Sequence, residues 1–362
     1  MGVDFNLNSE LCAATKGARN LITDVPGVRV GHVTLDSGSS GLHTGVTAIV
    51  PDGDCFTSKL PAASYVSNGF GKSMGLVQIE ELGCIETPIL MTNTLSCGAG
   101  FDALVRHALA DHPQIGVDTG TVNPVVMECN DGPINDIRAM AVTPDHALEA
   151  MRVASADFQE GTIGAGTGMT CFGLKGGIGS ASRVLTFDGR QFTIGVLVLT
   201  NFGALECLRI GGKPVGKQLS EYKRSLAAGE DRGSIVAVIA TDLPVDSRQL
   251  RRFAKRVTVG ITRCGGYIGN GSGEIVVAFS TANRMAHWAG HNYNGQTLPM
   301  IDTVARLSDN AMDVCFRAVS AISEEAIISS LWHAHSVTGR TGEVTWSLRD
   351  LAAQAGVELP LR

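Results

Sequence analysis

Short apolar runs rich in β-branched residues alternate along this chain with segments whose apolar positions recur every three to four residues, the mark of strands interleaved with helices. Strands are predicted over 28–33, 45–50, 193–200, 234–241 and 274–281. Helices are predicted to start at Asp145 and at Asp246, where a carboxylate can cap the first free amides, and a longer helical pattern runs over 303–333. Two of the strands, 193–200 (TIGVLVLT) and 234–241 (SIVAVIAT), are apolar on both faces. That suits the buried middle of a layered sandwich better than a one-sided sheet. Between them, 217–232 is the most hydrophilic stretch of the chain, running into Gly229-Glu-Asp-Arg-Gly233. Charged sequence beside a buried strand reads as an exposed loop, so Ser234 marks the point where surface loop becomes core strand.

Neither internal repeats nor a low-complexity linker divides the chain, and 1–362 is taken as a single domain. Apolar residues make up 44% and charged residues 18%, enough to bury a sizeable core. The net charge of −6 is spread along the chain and excludes the basic footprint of a nucleic-acid binder. One basic cluster, 248–256 (RQLRRFAKR), reads as the solvated face of a helix. Nine cysteines, odd in number, widely spaced and without a C-x-x-C pair, point to reduced thiols rather than a disulfide framework or zinc ribbon. No apolar run approaches the ~18–20 residues of a membrane span, and the first twenty residues lack the apolar core of a secretory signal. The expectation is a cytoplasmic protein with no membrane and no nucleic-acid partner. Glycine, at 44 residues, is well above its usual ~7% share and calls for many tight turns and close approaches.

Several local patterns could carry chemistry. The glycine-rich stretches 164–168 and 269–273 lack the spacing and strand-to-helix context of a phosphate cradle, and tight turns are the better reading. His287 and His291 have the i, i+4 spacing of paired metal ligands, but Trp288 stands where a zincin needs glutamate. Packed or surface histidines are therefore expected, with no metal and no cofactor. Gly71-Lys-Ser73-Met-Gly75 matches the nucleophile-elbow string, yet it follows a turn-like Ser67-Asn-Gly-Phe70 and reads as a loop entering a helix at LVQIEEL.

Gly233-Ser234 offers another route. If the bond before Ser234 breaks, the serine gains an α-amine beside its own hydroxyl, with a reference pKa of ~7.7–8.0, able to act as base near neutrality. A preceding glycine would let the backbone take the strained geometry of attack on the Gly233 carbonyl. On these residues alone a simple turn remains the stronger reading. Gly271-Ser272-Gly273-Glu274 adds a hydroxyl and a carboxylate at i and i+2, on one side of an extended backbone, able to relay a proton and hold an ammonium. Here too a polar turn is the competing reading.

The motifs taken together change the balance. They are Leu21-Ile-Thr-Asp-Val-Pro-Gly-Val-Arg-Val-Gly-His32, Thr44-Gly-Val-Thr47, Glu86-Thr-Pro-Ile-Leu-Met-Thr-Asn-Thr94 and Gly166-Thr-Gly-Met169. Phe172-Gly-Leu-Lys-Gly-Gly-Ile-Gly-Ser-Ala-Ser-Arg183, Gly195-Val-Leu-Val-Leu-Thr-Asn201, Ser234-Ile-Val-Ala-Val-Ile-Ala-Thr-Asp-Leu-Pro244 and Gly271-Ser-Gly-Glu274 follow in order. Over nearly its whole length the chain resembles the L-aminopeptidase D-amidase/D-esterase and β-aminopeptidase family, whose members cleave themselves.

The resemblance implies a four-layer α/β/β/α sandwich, similar to the ornithine acetyltransferase fold. It implies a catalytic domain cut into a large subunit, 1–233, and a small one, 234–362, that stay folded together as a heterodimer and assemble into a homo-oligomer. Carried over by position, Ser234 is the nucleophile and new N-terminus, and Ser272 and Glu274 are its proton-relay and charge partners. Asn201 is the oxyanion-hole amide, and Glu128 binds the free amine of a small peptide, amide or ester substrate. Asn130 departs from the pattern, since some members carry an aromatic oxyanion donor there. An amide reaches less far, so a substrate-site role and a turn at Asn130-Asp131-Gly132 stand side by side. Two other functions share these features: acyl transfer of the ornithine acetyltransferase type, and binding by an unprocessed chain.

Overall fold

The computed structural model describes residues 7, 12–38, 41–223, 233–292 and 294–361. In chain order its long strands are β1 (Val28–Asp36), β2 (His43–Pro51), β3 (Ser58–Gly69), β4 (Ile89–Asn93) and β5 (Val125–Cys129). Then come β6 (Gly177–Phe187), β7 (Arg190–Asn201), β8 (Ser234–Thr241) and β9 (Gly273–Ser280). The helices are α1 (Leu76–Leu82), α2 (Cys97–Asp111), α3 (Pro144–Arg152), α4 (Val215–Tyr222), α5 (Ser247–Ala254), α6 (Val257–Arg263), α7 (Met312–His333) and α8 (Leu348–Ala355). The protein is a mixed α/β structure with two main sheets.

The larger sheet runs β6-β7-β8-β9-β3, antiparallel except for the parallel β8–β9 pair, and the smaller runs β1-β2-β4-β5. Strand alternation sorts the apolar side chains into separate cores. Along β8, Ile235, Ala237 and Ile239 pack with helices α4 to α8, while Val236, Val238 and Ala240 turn the other way. That second set meets Ile49, Ile89, Met91 and Met127 of the smaller sheet. The far face of the smaller sheet, through Val46, Ala48, Leu90 and Val126, packs on α2 and α3. The two-faced strands read from the sequence are thus buried on both sides, as expected. A Cβ on Gly179 of β6 would lie 2.0 Å from the Ala326 carbonyl, so glycine there lets α7 lie close on the sheet.

β8 falls on the predicted 234–241, and α1 forms on LVQIEEL. Asp246 caps α5 by accepting the Gln249 N–H at 2.7 Å. Two helix starts differ from expectation. α3 is capped by Thr143, with Pro144 following, which leaves Asp145 in its first turn. α7 begins at Met312, because Ser308 caps a short turn over Asp309–Ala311 instead of joining a longer helix. The exposed loop expected over 217–232 is shortened: α4 extends through Tyr222, and 224–232 lies outside the described residues.

Candidate active site

Ser234 opens β8 at the end of the larger sheet. Its register partners are Asn201, the last residue of β7, and Gly273, the first of β9. The residue is only 8% exposed. The Gly273 N–H points at this junction, 3.2 Å from the Gly233 carbonyl oxygen and 3.3 Å from Ser234 Oγ. A Cβ on Gly233 would lie 1.8 Å from the Asn201 carbonyl oxygen. Close approach to β7, rather than a left-handed backbone, is therefore what demands glycine here, since the φ of Gly233 lies outside that region.

Ser272 and Glu274 are fully buried, and the Ser272 hydroxyl donates to Glu274 Oε1. Parallel register sets the directions. Paired residues Ser234 and Gly273 face one side, while Glu274 and its partner Ile235 face the helix-side core. The Ser234 main chain lies between its own hydroxyl and the Glu274 carboxylate. The 269–272 loop is gripped by Asn68, whose side-chain amide donates to the carbonyls of Gly269 (3.1 Å), Asn270 (3.4 Å) and Ser272.

The orientation of the Asn201 amide is fixed: Oδ1 accepts the Thr170 N–H at 2.9 Å, and Nδ2 donates to the Asn130 carbonyl at 3.1 Å. One Nδ2 hydrogen has no acceptor among the described residues. Asn130 itself is exposed, and its side chain closes a turn by accepting the Gly132 N–H at 2.9 Å. Behind Thr170, buried Lys175 donates to the carbonyls of Gly166, Met169 and Gly176 at 2.9, 2.9 and 2.8 Å. Burial pulls its pKa down to about 7.

Glu128 is buried on β5, on the face turned toward α2. Its Oε1 accepts the Lys72 N–H at 2.7 Å and its Oε2 accepts the Thr94 hydroxyl. One chain segment links it to the nucleophile's surroundings: a Cβ on Gly71 would lie 3.0 Å from Ile275 Cδ1 and 3.3 Å from Glu128 Oε1. The thiol of Cys129 is pushed well above its ordinary pKa by burial first, then by the charge of Glu128, with a smaller contribution from Glu274. This end of the molecule therefore holds the buried carboxylates of Glu128 and Glu274, the serines Ser234 and Ser272 and the fixed Asn201 amide, a set of groups that suits attack on a carbonyl beside an ammonium group.

The sequence model of peptidase family S58 matches residues 20–345. The chain belongs to that family. A β-peptidyl aminopeptidase of Sphingosinicella microcystinivorans is 41% identical over 352 residues, covering 91% of this chain and 85% of the relative. A crystal structure of a protein from Pyrococcus horikoshii OT3 superposes with a TM-score of 0.88 at 43% identity, covering 98% of each chain. The L-aminopeptidase D-Ala-esterase/amidase of Ochrobactrum anthropi, described as a prototype serine aminopeptidase and a variant of the Ntn-hydrolase fold, superposes with a TM-score of 0.83 at 35% identity. That match covers 95% of this chain and 96% of the other. This S58 peptidase is accordingly a hydrolase with an aminopeptidase or amidase function.

Other patterns in the S58 sequence resolve into packing. Ser73 lies in the loop before α1, and its buried hydroxyl has no hydrogen-bond partner among the described residues, so no base serves it. His287 stacks on Phe56 at 4.3 Å and bonds Thr119 at 2.7 Å, while His291 ends a two-residue strand, so the pair shares no helix face. Within the basic cluster, Arg248 pairs with Asp309 and Arg251 with Glu80 at the surface, as expected of a solvated helix face. All nine cysteines are free thiols. No helix among the described residues is long and apolar enough to cross a membrane. Thr94, Thr170, Lys175, Asn68 and the Gly273 amide were not singled out from the sequence. Thr94 and Lys175 do stand inside the long motifs quoted above.

Proposed function

We propose that this S58 peptidase is made as one chain and cuts itself between Gly233 and Ser234, giving a 1–233 large subunit and a 234–362 small subunit. Ser234 is then the nucleophile and its new α-amine the base. The observation that carries this reading is the position of Ser234 at the head of a central strand, between Asn201 and Gly273, with the Ser272–Glu274 pair alongside. In self-cleavage, Ser234 Oγ attacks the Gly233 carbonyl carbon, and the Gly273 N–H, 3.2 Å from that carbonyl oxygen, meets the developing charge. The Oγ proton passes to the Ser234 nitrogen, the Gly233–Ser234 C–N bond breaks to free the α-amine, and water hydrolyses the resulting ester on Oγ.

In turnover, the amine takes the hydroxyl proton, and Ser272 and Glu274 hold the resulting ammonium. Oγ attacks the scissile carbonyl, whose oxyanion accepts a hydrogen bond from the second N–H of Asn201 Nδ2. The departing amine collects the proton, and water hydrolyses the acyl-enzyme. Glu128 binds the substrate's free amine, with Asn130 at the rim. Substrates are small peptides, amides or esters, and the names of the relatives make β-peptidyl amides the first to try. The three-core packing supports a four-layer α/β/β/α sandwich like that of ornithine acetyltransferases. Free thiols support a cytoplasmic setting, and exposed Met300 and Ile301 support assembly of the cleaved heterodimers into a homo-oligomer. No cofactor is required by these steps.

Intact mass tests the central claim. Two fragments, the smaller beginning Ser-Ile-Val-Ala, are expected, and a lone species of 37.9 kDa would refute it. Gly233→Ala should slow the cut by roughly ten- to a hundredfold, because its Cβ collides with backbone that cannot swing aside. A time course of precursor loss measures this, and wild-type speed would discard the steric argument.

The pH profile follows from the base. Only the neutral amine can accept the proton, so kcat/KM should rise with pH through an apparent pKa of about 8, the reference value of an α-amine, and fall away below it. Verified acetylation of the Ser234 α-amine should abolish turnover; retained activity would rule the amine out as base.

A further inference from the structure

The residues assigned to chemistry hang on a loop that needs to be held. Ile268, which is β-branched, takes a φ of +58°, a left-handed conformation that such side chains rarely adopt. The turn after it closes through the Ser272 N–H on the Gly269 carbonyl at 2.9 Å, and then delivers Ser272, the Gly273 N–H and Glu274 in succession. Left alone, a strained turn of this kind would relax and carry all three groups with it.

Asn68 prevents that. It pairs with Glu274 across β3 and β9, next to a bulge where the register skips Ser67. Three main-chain carbonyls, those of Gly269, Asn270 and Ser272, converge on its Nδ2. All three are acceptors, so the orientation of the amide is unambiguous. The bulge turns this one side chain over the loop.

We infer that Asn68 is a positioning residue: it tethers the 269–272 loop so that Ser272, the Gly273 amide and Glu274 are presented to Ser234. It touches no reacting atom and acts through the main chain of the loop it holds. The inference rests on the Ser234 reading above.

The test uses the full-length enzyme and alanine p-nitroanilide, with Asn68→Ala, Ser272→Ala and the double variant. A misplacement of about 1 Å costs on the order of a hundredfold in rate, so Asn68→Ala should lose roughly ten- to a hundredfold in kcat while KM stays within about twofold. The double variant should lose clearly less than the product of the two single losses, because without the Ser272 hydroxyl the tether has only the Gly273 amide and Glu274 left to position. Multiplying losses, or a KM that rises as kcat falls, would mean general structural support and overturn the inference. Should Asn68→Ala fail to fold, Asn68→Asp keeps the shape, removes the donor, and should show the same kcat loss. A slow Ser272→Ala beside a full-speed Asn68 variant overturns this inference alone. Unchanged turnover in Ser272→Ala overturns the relay reading and this one with it.

Discussion

Ser234→Ala should leave one uncut chain of 37.9 kDa, folded, with turnover reduced by ~10⁴-fold or more. The cut depends on Oγ, which alone can attack the Gly233 carbonyl, and so does the acyl-enzyme. The fold depends on neither. Alanine fills nearly the same space at a position whose register with Asn201 and Gly273 is made by main chain, so the melting temperature should hold. Mass spectrometry and a melting curve read the two halves of the expectation separately. If the alanine chain is still cut at Gly233–Ser234, some other nucleophile or a contaminating protease makes the cut, and self-cleavage by Ser234 is wrong. Uncut wild-type protein with full activity would be worse for the reading, since no free α-amine would exist to serve as base.

What the sequence revealed of this site, and what it hid, follows from the range of the interactions. β8 was legible because its apolar run is too short for a buried helix and is rich in β-branched residues, although its period alone does not distinguish the two. Ser272 and Glu274 were legible as a pair because they are two residues apart on extended backbone, and their side chains do meet. β3 was not legible: Pro61 and the polar Ser64, Ser67 and Asn68 argue against a strand. Pro61 is tolerated where β3 meets only the two-residue strand Cys84–Ile85. With β3 hidden, the grip of Asn68 on a loop some two hundred positions later was hidden too. α2 was masked by Gly98 and Gly100, which weaken a helical pattern. Lys175 was missed for a different reason. Lysine is almost never fully buried, and nothing local announces three carbonyls waiting for its ammonium. The close approach of Gly233 to the Asn201 carbonyl was hidden as well, because the two residues are neighbours only through the pairing of β7 with β8.

Glu128→Gln should separate substrate recognition from catalysis. An aminopeptidase must recognise a free ammonium, and a buried carboxylate does so through a charge-assisted hydrogen bond of about 1.5–3 kcal/mol, roughly ten- to a hundredfold in affinity. Glutamine can replace the carboxylate in its present bonds. Its carbonyl accepts the Lys72 N–H, and its NH₂ donates to a Thr94 hydroxyl that rotates to receive it. The local structure should hold, then, with only the charge removed. Self-cleavage should proceed at its normal rate, because the precursor presents no free amine at Glu128. Hydrolysis of alanine p-nitroanilide should fall by that ten- to hundredfold, chiefly through KM, while an ester lacking the amine should be cleaved as before. Equal losses on both substrates would mean that Glu128 supports the site through Lys72 and Thr94 rather than by binding the substrate. No loss on either would leave its burial beside the start of α2 a matter of packing, and the recognition of the amine would have to pass to another buried carboxylate, Glu274 first.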